Sequence, residues 1–129
     1  MDIVIVDDHD IYRKTLARVL SNIFSNCRID EFDTGEKFLE IIGIGLQPDL
    51  VLMDIKLPGM DGVETTRQAL QMLPDLSVLA ISIKNDTDKI IEMKQIGAKG
   101  FLLKGVDKKE IKEAIECVLN NEIYFQHII

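Results

Sequence analysis

Four short, nearly unbroken apolar runs punctuate the chain: Val4-Ile5-Val6, Leu50-Val51-Leu52-Met53, Val78-Leu79-Ala80-Ile81 and Phe101-Leu102-Leu103. None is long enough to span a bilayer, and none alternates as a strand with one wet face does. Continuous runs of this length form strands covered on both faces, the condition of a parallel sheet in an α/β domain. A fifth run, Cys27 to Phe32, alternates apolar with polar residues and reads as a half-exposed edge strand.

Helical patterns fill the intervals. Ile11, Leu16, Val19, Leu20, Ile23 and Phe24 recur at helical spacing and predict a helix from about residue 10 to 25. Thr34 is placed to cap a helix bearing Phe38, Leu39, Ile41 and Ile42, which Gly43, Gly45 and Pro48 bring to an end. Leu57 to Gly62 has the composition of a tight loop, and Val63, Thr66, Arg67, Leu70 and Leu73 predict the next helix. Asn85 or Asp86 can cap a helix carrying Ile90, Ile91, Met93 and Ile96, closed by Gly97. Asp107 and Glu110 open a last helix whose buried side is Ile111, Ala114, Ile115, Val118 and Leu119. Five strands alternating with five helices imply a doubly wound five-stranded parallel sheet, flavodoxin-like order 2-1-3-4-5, with helices on both faces.

At 129 residues the chain is of single-domain size. A net charge of -7 argues against direct binding of these residues to nucleic acid. Lys108, Lys109 and Lys112 interleave with Glu110, Glu113 and Glu116, as on a solvated helix face. No basic segment precedes the first apolar run, so no signal peptide or membrane insertion is expected and a cytoplasmic location is. Cys27 and Cys117 lack metal-type spacing and lie in apolar stretches, which predicts buried reduced thiols.

The apolar runs end on Asp7 and Asp8, on Asp54, on Ser82 and on Lys104. Neighbouring parallel strands bring these side chains to one edge, and ligands of such sheets bind there, where the winding reverses. Two carboxylates about 5 Å apart repel by about 3 kcal/mol at an effective dielectric of about 20. Three of them call for a hard divalent ion, with Mg²⁺ the natural candidate. Asp8 and Asp54 are expected as direct ligands and Asp7 as a ligand directly or through water. Alternatively, Asp7 and Asp8 merely end a strand and cap the following helix. Asp54 can also serve as a nucleophile toward phosphorus, with the Ser82 hydroxyl and the Lys104 ammonium facing the transferred oxygens.

Val-Asp-Asp near the N-terminus, Leu-Met-Asp54-Ile-Lys-Leu-Pro-Gly-Met-Asp-Gly, Ile81-Ser82 and Gly97-Ala-Lys-Gly-Phe-Leu-Leu-Lys104 together resemble the response regulator receiver domain of two-component signalling. The resemblance covers residues 2 to 120. It implies that Asp54 accepts a phosphoryl group from a sensor histidine kinase or phosphotransfer protein, in a Mg²⁺-dependent reaction that the domain catalyses only on itself. It implies the backbone carbonyl of Lys56 as a further metal ligand, and Ser82 with Phe101 as the switch pair that rearranges the face of helix 4, strand 5 and helix 5. Homodimerisation on phosphorylation is a further implication.

The stretch before Lys104, its non-proline successor Gly105 and the ending Ala114 to Phe125 resemble NarL/FixJ-like receivers, which precede a LuxR-type helix-turn-helix domain. Residues 1–122 are then the receiver, and 123–129 a tail or the start of a linker to an output domain that would bind DNA and control transcription. A stand-alone phosphotransfer or phosphorylation-independent interaction module is the alternative. Lys56 and Lys84 lie two residues beyond Asp54 and Ser82, and Ile83 is bulkier than the small residue common there, which predicts an altered phosphoryl lifetime. A phosphohydrolase is disfavoured because position 56 is Lys rather than a second acid. Nucleotide-binding glycine motifs are absent from the sequence.

Overall fold

The computed structural model describes residues 1–125. Strands β1 (Asp2–Val6), β2 (Arg28–Phe32), β3 (Leu50–Asp54), β4 (Ser77–Ser82) and β5 (Gly100–Leu103) alternate with helices α1 (Asp10–Ile23), α2 (Gly35–Gly43), α3 (Gly62–Met72), α4 (Thr87–Ile96) and α5 (Lys108–Leu119). The strands form one parallel sheet in the order β2-β1-β3-β4-β5, as the apolar runs and the alternating second strand imply.

Side-chain alternation along the buried strands divides the core into two layers. Val4, Val6, Val51, Met53, Val78, Ala80 and Phe101 point to one face, where Phe38 and Ile42 of α2, Val63 and Ala69 of α3, and Ile90 and Met93 of α4 cover them. Ile3, Ile5, Leu50, Leu52, Leu79, Ile81 and Leu102 point to the other, under Leu16 and Leu20 of α1 and Ile111, Ala114, Ile115 and Val118 of α5. The helix starts follow the expected chemistry. Thr34, Asp61, Asp86 and Asp107 each accept a hydrogen bond from the backbone N–H three residues on.

Three local expectations are corrected. Ile11 does not join the buried stripe of α1; it is 84% exposed, because at the first turn of the helix it faces the open surface beside Ile83, Lys104 and Gly105 rather than the sheet. Cys27 and Cys117 are free but half-buried, and each thiol donates to a backbone carbonyl, of Leu20 and Ile123 respectively. Neither Asp7 nor Asp8 caps α1: its N-cap is His9, whose side chain makes no capping bond.

After α5 the chain folds back on the outer edge of β5. Tyr124 donates its amide to Lys99 at 2.8 Å, and its carbonyl accepts from Phe101 at 2.9 Å. Its buried hydroxyl donates to Glu110. Gly100 permits this approach, since a Cβ there would lie 2.9 Å from the Tyr124 carbonyl oxygen. Tyr124 is thus part of the packed body. Of the residues 123–129 expected as a tail or linker, Gln126 to Ile129 lie outside the described residues.

The strand register sets the site. Val6 stands opposite Met53, Asp54 opposite Ile81, and Ser82 opposite Leu103. Asp7, Asp54, Ser82 and Lys104 therefore emerge within two residue steps of one another at the carboxyl edge. The start of α3 is held against this edge by Gly62, whose amide donates to the Ile55 carbonyl at 2.9 Å. A Cβ at Gly62 would fall 2.0 Å from the Asp54 carbonyl oxygen and 2.8 Å from Ile55 Cα. Because backbone must yield, Gly62→Ala is expected to lower stability by about 2–4 kcal/mol in urea unfolding. A loss below about 0.5 kcal/mol would contradict this packing.

Candidate phosphoryl and metal site

Asp7 and Asp54 are almost wholly enclosed, at 0% and 2% exposure, whereas Asp8 lies at the rim. They enclose the ammonium of Lys104, which sits 2.7 Å from Asp7 Oδ2 and 3.1 Å from Asp54 Oδ2. The Lys104 side chain passes over the ring of Tyr12, with Nζ 4.8 Å from its centroid, a cation–π contact in a desolvated setting. Burial, together with the nearby charges of Asp7 and Asp54, pushes the Tyr12 phenol up to about 12, so it stays neutral.

Local backbone geometry aims the carboxylates. Asp7 Oδ1 accepts from the His9 amide at 2.8 Å, and Asp54 Oδ1 accepts from the Lys56 amide at 3.1 Å. Arg13, buried in α1, donates to the Asp7 carbonyl at 2.7 Å while its guanidinium pairs with Asp10 and Glu31. Ser82 is buried at the end of β4, and its Oγ accepts from the Lys84 amide at 3.3 Å. Asp8, His9, Asp54, Ser82 and Lys104 line an open cavity of about 380 Å³, whose rim includes Lys56, Pro58, Ile83 and Lys84.

Charge counting tests the fit of a divalent ion. Asp7, Asp8 and Asp54 against Lys104 leave two negative charges. Asp7 Oδ2 is buried and lies 2.7 Å from the Lys104 ammonium. Donor atoms of Asp7, Asp8, His9 and Asp54 all lie within 4.8 Å of one another. An oxygen-rich, doubly negative cluster suits Mg²⁺. The cluster can coordinate such an ion.

The structure therefore brings Asp7, Asp8, Asp54, Lys56, Ser82 and Lys104 to one edge. Phe101 lies three residues before Lys104, buried opposite Ala80 in the core layer that α4 covers. Gly105 follows Lys104 through a trans peptide with φ of +94°. Sequence reasoning missed His9, Tyr12 and Arg13. His9 carried a weak signal, as the residue next to two strand-end acids; Tyr12 and Arg13 carried none, since their partners lie on separate elements.

Fold and site define a doubly wound α/β domain with a divalent-cation site where its winding reverses. The family model of the response regulator receiver domain matches residues 3–116. The chain belongs to that family, within its NarL/FixJ-like branch. It is 35% identical over 122 residues to the response regulator GacA of Pseudomonas viridiflava, covering 95% of this chain and 56% of that protein. It is likewise 35% identical to the transcriptional regulatory protein DegU of Brevibacillus brevis, covering 96% and 52%. The signal receiver domain of NarL from Mycobacterium tuberculosis superposes with a TM-score of 0.81 at 32% identity, covering 94% of this chain and 97% of that one. A LuxR-family response regulator from Aurantimonas superposes at 0.89 with 26% identity, covering 98% and 89%. The chain spans about half the length of the curated relatives it matches.

Burial, with the charge of Asp7 next, raises the Asp54 carboxyl from its ordinary 3.8 to about 6, against the opposing pull of Lys104 and the Lys56 amide. The folded state thus holds this proton more tightly than the unfolded chain. Stability from Asp54 is fully present below about pH 4 and is lost as pH rises through about 6. Removing the charge should reverse that loss. Asp54→Asn is expected to gain up to about 3 kcal/mol at pH 7.5 without divalent ions, with the gain vanishing near pH 4. Chemical denaturation across that pH range checks it; a variant less stable at pH 7.5 would contradict the assignment.

Proposed function

We propose that Asp54 is the phosphoacceptor of a signalling switch, charged by a phosphohistidine of a sensor kinase or phosphotransfer protein. One observation carries the reading: a buried carboxylate, flanked by two others and an ammonium, lies at the base of an open cavity. Attack of an Asp54 oxygen on phosphorus forms an acyl phosphate, while the donor's P–N bond breaks and its electron pair returns to the imidazole. A bound Mg²⁺ supplies charge neutralisation for the phosphoryl oxygens. Asp7, Asp8, Asp54 and the Lys56 carbonyl hold that ion in this reading. Lys104, freed from Asp54, pairs with one phosphoryl oxygen, and the Ser82 hydroxyl takes another.

Incubation with acetyl phosphate and Mg²⁺ is expected to add one phosphate mass, and Asp54→Asn to abolish it. No adduct would leave the phosphorylation-independent interaction module. Lys56, Ile83 and Lys84, exposed at the rim, govern water access to the acyl phosphate in this account, so Lys56→Asn and Lys84→Ala should change its half-life.

The output is transcriptional control through a DNA-binding domain beyond these residues, with phosphorylation-dependent homodimerisation. The greater length of GacA and DegU, and the description of DegU as a transcriptional regulatory protein, support the transcriptional output. No helix among the described residues is long and apolar enough to cross a membrane, which fits action in the cytoplasm. The path outward runs through Phe101: its side chain is buried in the core layer that also holds Ile90 and Met93 of α4, and its amide donates to Tyr124. Phe125, the next residue, meets the Lys94 ammonium of α4 at 5.3 Å. Beryllofluoride with Mg²⁺ should shift the amide resonances of Tyr124 and Phe125, and Phe101→Leu should at least halve those shifts. An undiminished response would remove Phe101 from the path.

A further inference from the structure

We propose that Tyr12 is a positioning residue for phosphoryl capture, its ring face holding the Lys104 ammonium in place once the charged partners of that lysine are withdrawn. The inference rests on the phosphoacceptor reading for its consequence and on the contacts of Lys104 for its cause. Four groups surround the ammonium: Asp7 Oδ2 at 2.7 Å, Asp54 Oδ2 at 3.1 Å, His9 Nδ1 at 3.0 Å and the Tyr12 ring, 4.8 Å to its centroid. The two carboxylates are the strong partners of the resting site. Both are committed elsewhere when the site works. Acylation of Asp54 removes its charge and places phosphorus on one of its oxygens, and the dication that supports the reaction draws on Asp7 and Asp54 alike. Neither step touches Tyr12, because hard cations take oxygen ligands and the ring offers only its π face.

What the ring supplies is attraction without a fixed direction. A carboxylate holds an ammonium through hydrogen bonds to particular oxygens, whereas a π face attracts it through a quadrupole that tolerates pivoting and acts more strongly when water is excluded. The Lys104 side chain is only 6% exposed, so that condition holds. Lys104 can then turn from Asp54 to a phosphoryl oxygen without leaving its seat. A competing position is close by: Tyr12 and Lys104 share the wall of an open depression of about 520 Å³ with Ile11, Thr15, Ile83 and Gly105. A flexible four-carbon stem released from the ring has room to swing into it, and ordering that stem again costs rotamer entropy at each capture. The Tyr12 hydroxyl makes no hydrogen bond among the described residues, so the ring face rather than the phenol oxygen carries the role.

The test uses the whole chain with Tyr12→Phe, with Tyr12→Leu, and with a trifluorinated phenylalanine in place of Tyr12, a ring of nearly the same shape whose face has lost its negative potential. Beryllofluoride affinity at saturating Mg²⁺ should stay within about twofold of the unaltered chain in Tyr12→Phe, and should fall about fivefold or more both in Tyr12→Leu and with the trifluorinated ring. Urea unfolding of Tyr12→Phe and of the trifluorinated form should coincide, which separates the seat from mere packing. A trifluorinated form that binds as tightly as Tyr12→Phe overturns the proposal, as does Tyr12→Leu at unaltered affinity. A second measurement needs no phosphoryl analogue. In Asp54→Asn, which withdraws one charged partner, the Lys104 ε-methylene protons should keep their upfield ring shift with Tyr12→Phe and lose at least half of it over the trifluorinated ring. An undiminished shift there overturns the seat. No beryllofluoride binding by the unaltered chain rejects the phosphoacceptor reading, and the ring-shift comparison alone then decides whether Tyr12 holds Lys104.

Discussion

The ammonium of Lys104 between the carboxylates of Asp7 and Asp54 is the interaction on which the rest of this structure turns. Two enclosed acids at neighbouring strand ends repel one another, and the sheet offers them no water. Lys104 relieves part of that repulsion, at 2.7 and 3.1 Å, but one positive charge cannot balance three carboxylates. Burial first, and the charge of Asp7 next, keep the Asp54 carboxyl pushed up despite that relief. The domain thus stores at one edge an electrostatic demand that a dication or a proton can meet. In the proposed function a phosphoryl group then uses the counter-charge of Lys104.

Such a demand is tolerable because the remainder of the sheet is conventional. Each central strand contributes apolar side chains to both core layers, and every helix packs on one of them. The carboxyl edge is held rigid from outside the acids themselves. Arg13 ties the Asp7 carbonyl to α1 and β2 through Asp10 and Glu31, and Gly62 lets α3 begin directly against the backbone of β3. Charge at the edge can therefore change without the strand ends moving apart, and its effect is directed into side chains and loops.

Sheet order and the gathering of Asp7, Asp54, Ser82 and Lys104 were legible because both follow from period: continuous apolar runs fix buried strands, and the residues just past them must share an edge. The exposure of Ile11 was not, since helical spacing alone does not locate the rim of a stripe. The pairing of Lys104 with Asp7 and Asp54 was only half visible. Its position reads from the strand, but its partner depends on which charges are desolvated, a property of the assembled edge. His9 was overlooked for a similar reason: a residue at a helix start has a local explanation, and its ring nitrogen gains significance only once Lys104, from 95 residues away, is seen beside it. The return of Tyr124 to β5 was invisible because a lone aromatic after a helix carries no periodicity.

That return also bears on how a change at the acids could leave the domain. Phe101 is already buried, so a signal does not need a ring swinging from solvent into the core. Its side chain lies in the core layer that α4 covers and its backbone holds Tyr124. Small movements of β5, drawn by Lys104 as it exchanges Asp54 for a new partner, would act on both at once. Lys104 stands only three residues beyond Phe101 on the same strand line, a distance over which an extended backbone transmits displacement with little slack. The same lysine that offsets the buried acids is in this way positioned to report their neutralisation.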